Sequence, residues 1–317
     1  MAQALTTTAP APRGRRSFVT RHREALVGLA FIAPAAIFLL LVMGYPISYL
    51  VRHSLNKENF ANPAAGATFI GFGNYTSLLQ DPEFWQSTRT TALIVVFAVA
   101  LEFLLGLILA LLLQRVLAGR RLLIALMLIP SMMMPIAVGL MWRFMLDDSY
   151  GMVSYYLSRV GLTGPDGMVK GSLLGTAHTA LASIVLTDVW EWTPFMALIL
   201  LAGLQSLPTE PFEAAAVDGA SAWQEFRHVT IPLLRSAITV ALLIRIADAM
   251  RILDIVFSMT NGGPANATQT AQLYTYRTGF EQFNIGLAFA QVVLVVSATI
   301  VVCAMIFRQV GRDGASA

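Results

Sequence analysis

The chain has 317 residues, 56% of them hydrophobic and only 12% charged, with a mean hydropathy of +0.68. An ordinary soluble domain carries about 25% charged residues, so this chain lacks the polar groups to cover its own apolar mass, which excludes a soluble enzyme, a disordered chain and a secreted scaffold. A net charge of +3 is too small to argue for nucleic acid, and the lone Cys303 cannot make an internal bridge.

Six apolar segments follow one another, each long enough to cross a hydrocarbon core of roughly 30 Å. Arg13, Arg15, Arg16, Arg21 and Arg23 precede the first, which is free of charge over 25–51. That run is about twice the core of a signal peptide and no small-residue cleavage site follows it, so it reads as an uncleaved anchor. The second segment, 90–114, holds one charge, Glu102, and the third, 122–142, holds none. The fourth and fifth, about 179–204 and 237–259, carry internal charges, and the sixth, 282–307, carries none. The expectation is an all-α integral membrane protein with six transmembrane helices. Residues 1–24 form an arm, 25–308 the membrane domain and 309–317 a tail. Pro34, Pro46, Pro130, Pro135 and Pro194 fall in or near spans, where they are tolerated as kinks.

Orientation follows from the bias of Arg and Lys toward cytoplasmic loops. With the N-terminus inside, the inner segments hold twelve basic residues, among them Arg120, Arg121, Arg227 and Arg235. The outer loops, about 52–88, 146–178 and 260–282, hold five: Arg52, Lys57, Arg159, Lys170 and Arg277. Both termini are therefore expected in the cytoplasm. The third outer loop contains the turn sequence Asn261-Gly262-Gly263-Pro264.

The most informative segment is the inner loop 205–235. Pro208 and Pro211 suit a helix start, Phe212 to Val217 reads as a short Ala-rich helix, and Gly219 is its natural terminator. Ser221-Ala222-Trp223-Gln224 then fits a capping box that opens a second helix, with Trp223 and Phe226 on one side of it. The unit ends at Ile231-Pro232. Its small alanines and its acidic edge, Glu213 and Asp218, contrast with the Lys/Arg-rich face of a helix that rests on a bilayer.

Ionisable groups inside spans are costly and are functional candidates. Glu102 sits at the middle of the second span, Glu191 near the middle of the fourth and Asp248 at the middle of the fifth. These positions suggest a polar cavity near the bilayer centre. In the fifth span Arg245, Asp248, Arg251 and Asp254 alternate in sign every three residues, so neighbours can pair but all four cannot face one cavity. Two readings stay open: structural ion pairs between helices, or groups that line a pathway. The chain contains no G-x-x-x-x-G-K-[ST] run, so it cannot bind nucleotide by a P-loop. It has no zinc-protease signature either, and an ion-coupled transporter using the buried acids is the competing function.

Glu213-Ala214-Ala215, three residues, Gly219, nine residues, Val229, one residue and Ile231-Pro232 resemble the EAA loop of bacterial ABC-importer permeases. Only Val for Ile and Ile for Leu depart from that pattern. The resemblance runs from about residue 26 to 308. Phe72-Gly73-Asn74-Tyr75, Asp81-Pro82-Glu83-Phe84-Trp85 and Thr260-Asn261-Gly262-Gly263-Pro264 are similar to the carbohydrate-uptake branch, maltose and glycerol-phosphate types, and most to permeases of actinobacterial trehalose importers. The resemblance implies a type I importer permease fold and a transport subunit that is not an enzyme. It also implies that the subunit moves a sugar into the cytoplasm by alternating access driven by partner ATPase subunits. The implied partners are a second homologous permease, a dimer of ATP-binding subunits that hold ATP and Mg, and an extracytoplasmic substrate-binding protein; this chain itself needs no cofactor and no metal. It further implies that Glu213, Ala214, Ala215, Asp218 and Gly219 couple to the ATPase. In the maltose type, sugar contacts come from positions matching Glu191, Trp192, Phe195, Asp248 and Arg251, with Glu102 as a further pathway candidate.

Overall fold

A computed structural model describes residues 18–62, 64, 66–115, 119–162 and 172–314. The expected arm up to residue 17, Lys170 and the last three residues of the tail lie outside them. Residues 1–52 and 53–317 form two units. In the first, the described structure is one long helix, α1 (Phe18–Ser54, ending just inside the second unit), whose stretch from Leu29 is apolar enough to cross a membrane. It runs through Pro34 and Pro46, and Tyr45 and Tyr49 stand one turn apart with ring centroids 6.3 Å from each other.

The second unit opens with two very short antiparallel strands, β1 (Asn56–Lys57) and β2 (Thr68–Phe69), and a short helix α2 (Gly73–Gln80). Next comes α3 (Pro82–Gln114), eight residues longer at its start than the apolar run predicts. Asp81 accepts a bond from the Glu83 amide at 2.8 Å and Pro82 occupies the first turn, where its missing N–H costs nothing. The Asp-Pro-Glu motif is thus a helix start.

The third span is broken. It consists of α4 (Arg120–Leu128), a 3-10 turn at Pro130–Met132 and α5 (Pro135–Met145). Each proline lacks a donor; Ile129 before Pro130 stays helical, whereas Pro135 favours an extended predecessor, and Met133 and Met134 are both extended. Two prolines so close together convert the expected kink into an interruption. After α6 (Met152–Arg159) comes α7 (Ala177–Gln205), which keeps Pro194 inside it.

α8 (Glu210–Val217) and α9 (Ala222–Glu225) form the loop unit. A π turn at Phe226–Thr230 then merges into α10 (Ile231–Ala249), so that Ala222–Ala249 is one apolar span. This corrects the fifth segment: it ends at Ala249, not near 259. The chain breaks there and resumes as α11 (Asp254–Met259). No Gly or Pro marks the break. It is fixed by tertiary structure, since the Thr270 hydroxyl bonds the Ile252 carbonyl at 3.0 Å. α12 (Ala271–Tyr276), a second π turn at Arg277–Glu281 and the long α13 (Ile285–Gly314) complete the chain. Five helices among the described residues are long and apolar enough to span a membrane, and the broken third segment adds the shorter apolar α5.

α3 and α7 make the central pair. They approach closely where a side-chain carbon on Gly106 would lie 2.8 Å from the Met196 side chain. Two apolar clusters stack along them. One gathers Ile94, Ala98, Ile184, Val189, Ile255 and Leu273; the other gathers Leu107, Leu113, Met196, Leu200, Leu204 and Leu234. Along both helices the level between these clusters is where the charged residues fall.

Candidate functional site

At that level Arg245 of α10, 1% exposed, reaches three carboxylates. Its Nε and Nη2 donate to the two oxygens of Glu102 on α3 at 2.6 and 2.7 Å. Nη2 also donates to Asp188 of α7 at 2.6 Å, and Nη1 to Asp248 at 2.8 Å. The flat guanidinium stacks on the Trp192 ring, 4.9 Å from its centroid. Such a planar fork suits several carboxylates and an aromatic face at once, as an ammonium does not.

Asp248 is the group that leads outward. Its side chain is 40% exposed, and its second oxygen receives only a long 3.4 Å contact from Arg251, itself 68% exposed. Trp192 and Phe195, half-buried on α7, meet edge to face with centroids 5.9 Å apart. The structure therefore gathers Glu102, Trp192, Phe195, Asp248 and Arg251 around one buried cation.

Glu191 does not join them. It is fully buried, and neither carboxyl oxygen has a hydrogen-bond partner among the described residues. Its backbone carbonyl accepts the Ser131 hydroxyl, which ties the broken third span to α7 near Pro194. Asp188, which the sequence reading did not single out, is the acid of α7 that bonds the cation, three residues before Glu191. The four-charge row is corrected, because Arg251 follows the end of α10 and Asp254 opens α11. Only Arg245 and Asp248 share a helix face there. Asp188 and Trp192 stand four residues apart on one face of α7, a spacing that brings side chains together. That acid–aromatic pair was the available sequence signal for a guanidinium.

The loop unit matches its sequence reading closely. Thr209 precedes α8, Pro211 lies in its first turn, and Gly219 has φ +73° with nothing within 4 Å of where a side chain would begin. The capping box is complete, Ser221 N donating to Gln224 Oε1 at 2.8 Å while Ser221 Oγ accepts from the Gln224 amide. Trp223 and Phe226 stack at 5.5 Å. Glu213, Ala214 and Asp218 are exposed, Ala215 is half-buried and Val217 is 88% exposed. A groove of about 480 Å³, lined by Gln114, Leu204, Leu207, Phe212 and Phe226 among others, runs beside α8.

At the opposite end of the unit the turn 261–264 is held rather than loose. Glu83 accepts from Asn266 and Gln269 at 3.0 and 2.9 Å, and Arg277 donates to the Asn261 carbonyl at 2.7 Å.

Residues 103–312 match the family described as binding-protein-dependent transport system inner membrane component. The chain is 39% identical to the probable ABC transporter permease protein y4oQ of Sinorhizobium fredii, over 89% of each chain. It is 37% identical to the trehalose/maltose transport system permease protein MalF of Thermococcus litoralis, over 92% of this chain and 96% of that one. Among solved structures, a bacterial ABC transporter involved in alginate import superposes with a TM-score of 0.75 at 20% identity, covering 93% of this chain and 98% of its own. At that identity the likeness shows a shared fold.

Proposed function

The chain belongs to the inner membrane components of binding-protein-dependent transport systems, and from that premise we propose that it is a permease subunit of an ATP-driven sugar importer. The substrate is a disaccharide of the trehalose or maltose kind. The sugar class rests on the trehalose/maltose permease, 37% identical over nearly the whole chain, and on the sequence motifs of the carbohydrate branch. The partners are a second, similar permease, two ATP-binding subunits and an extracytoplasmic binding protein. This chain does no chemistry of its own.

The observation that carries the reading is the exposed unit of α8, Gly219 and α9. Its residues keep the spacing of the EAA loop, and Glu213, Ala214, Ala215, Asp218 and Gly219 form the surface that receives motion from the ATPase. Small side chains let a partner's groove approach the helix closely, while the acidic edge suits a basic rim. In the membrane, Trp192, Phe195, Asp248 and Arg251 form one side of the sugar path. An aromatic face takes the apolar face of a pyranose, and a carboxylate accepts from its hydroxyls. Glu102 supports that site from behind, and Glu191 borders it without a bond of its own.

The test is to purify the chain with its genomic neighbours and reconstitute it in liposomes. We expect an ATPase to copurify, hydrolysis to rise when sugar-loaded binding protein is added, and labelled trehalose or maltose to enter. Sugar entry driven by a proton gradient without ATP would favour the ion-coupled alternative instead.

A further inference from the structure

We infer that Arg245 is a positioning residue for sugar discrimination, setting Asp248 and Trp192 at a fixed separation without touching the sugar itself. The inference rests on the proposed sugar path. Arg245 is almost completely buried, so its own donors are out of reach of a ligand. What it holds is not: Asp248 is 40% exposed, and Trp192 is half-buried.

The geometry has a back and a front. At the back, Glu102 takes two donors of the guanidinium and Asp188 shares one of the same nitrogens. Those two carboxylates come from α3 and α7, the most extensively packed helix pair, so the cation is anchored to the rigid part of the unit. At the front, the remaining terminal nitrogen fixes one oxygen of Asp248, and the ring of Trp192 lies against the guanidinium plane. Gluing three helices would be complete with Glu102 and Asp188. The third carboxylate lies in the last turn of α10, where the helix stops, and its second oxygen is left nearly free.

Released from Arg245, Asp248 would have only Arg251 to pair with, and an exposed pair of that kind holds a geometry weakly. Trp192 would lose the cation that lies against its ring. A site built on an aromatic plane and one carboxylate distinguishes two disaccharides by the distance between those groups, so loosening either one erodes discrimination before it erodes turnover.

Arg245→Lys keeps the charge and loses the fork. The experiment uses the full complex in liposomes, with saturating binding protein and labelled trehalose and maltose measured separately. The readout is the ratio of the two uptake rates, which does not depend on how much transporter is recovered. We expect the ratio to move by about fivefold. Asp188→Asn, which removes one anchoring charge at nearly constant volume, is measured alongside and decides the matter if the lysine variant does not assemble. A ratio equal to wild type in the variant that assembles, with both rates falling in proportion to recovered protein, overturns the inference and leaves Arg245 as helix glue. A wild-type complex that takes up neither sugar overturns the disaccharide reading itself, a different failure.

Discussion

Taking ions out of water costs several kcal/mol each, and their attraction repays this only when every lone pair and donor finds a partner. The Arg245 cluster meets that condition for Glu102, whose two oxygens are both bonded. Removing the cation would leave Glu102 and Asp188 buried against each other. Arg245→Met is therefore expected to destabilise the permease by about 3–5 kcal/mol, seen as a large drop in unfolding temperature and yield in detergent. Glu102→Gln should cost less, because Asp188 and Asp248 still balance the guanidinium. Equal melting of Arg245→Met and wild type would mean that the cluster contributes nothing to folding. The members of this cluster were unequally legible in the sequence. Glu102 and Asp248 stood out because their neighbours are apolar, whereas Asp188 was hidden by Glu191 three residues on. A helix midpoint is a poor guide to depth when partner helices are offset, and α10 is displaced relative to the apolar run by most of its last ten residues. What a buried acid touches is a tertiary fact.

Elements governed by local rules were readable and those governed by packing were not. The loop unit is the first kind. Proline in the first turn, a glycine elbow and a capping box are each set by residues within a few positions, and all three recur in the structure. Gly219 is needed for its backbone conformation alone, since nothing lies within 4 Å of an added carbon. A β-branched residue at φ +73° is a steric outlier, so Gly219→Val should tilt α9 away from α8, while Gly219→Asn, which tolerates that region, should stay near wild type. The expected outcome is normal membrane insertion for both, with ATP hydrolysis uncoupled from uptake in the valine variant alone. Identical coupling ratios in both would remove the elbow from the mechanism. The break in the fifth segment is the second kind, while the third is broken by its own two prolines, which hydropathy alone does not register. Hydropathy sees an unbroken apolar run in each, and the extended Met133 and Met134 or the Thr270 contact reveals the interruption. The same holds for Gly139 on α5. An added carbon there would meet Ser258 at 1.9 Å and the Ile255 backbone at 3.2 Å on α11. Gly139→Ala should thus destabilise by about 1–3 kcal/mol, read as a lower unfolding temperature, and an unchanged one would place slack between α5 and α11 where the structure has none.

At the scale of the whole molecule, sidedness depends on whether the broken third segment crosses. With only the five long helices crossing, an odd number, the termini would lie on opposite faces; with six they share one. The packing is in keeping with six. Ile124 and Met127 of α4 pack on the cluster that holds Leu113, Leu204 and Leu234, next to the loop unit. Trp142 and Leu146, at the end of α5, belong to the other cluster with Ile184 and Leu273. Between residues 127 and 142 the chain therefore passes from one level to the other, and it does so through the two prolines. Arginine placement agrees: Arg120 and Arg121 flank the entry of this segment on the side that also holds Arg227 and Arg235. A phosphatase or fluorescent reporter fused after Arg312 should accordingly stay cytoplasmic, and one inserted beside Lys170 should be exported. Deleting residues 120–145 should then reverse the C-terminal fusion, because one crossing is lost while the arginines of the first arm still hold the N-terminus inside. Export of the fusion in the intact chain would mean that the segment dips and returns, and would put the α8 surface and the ATPase on opposite sides of the membrane.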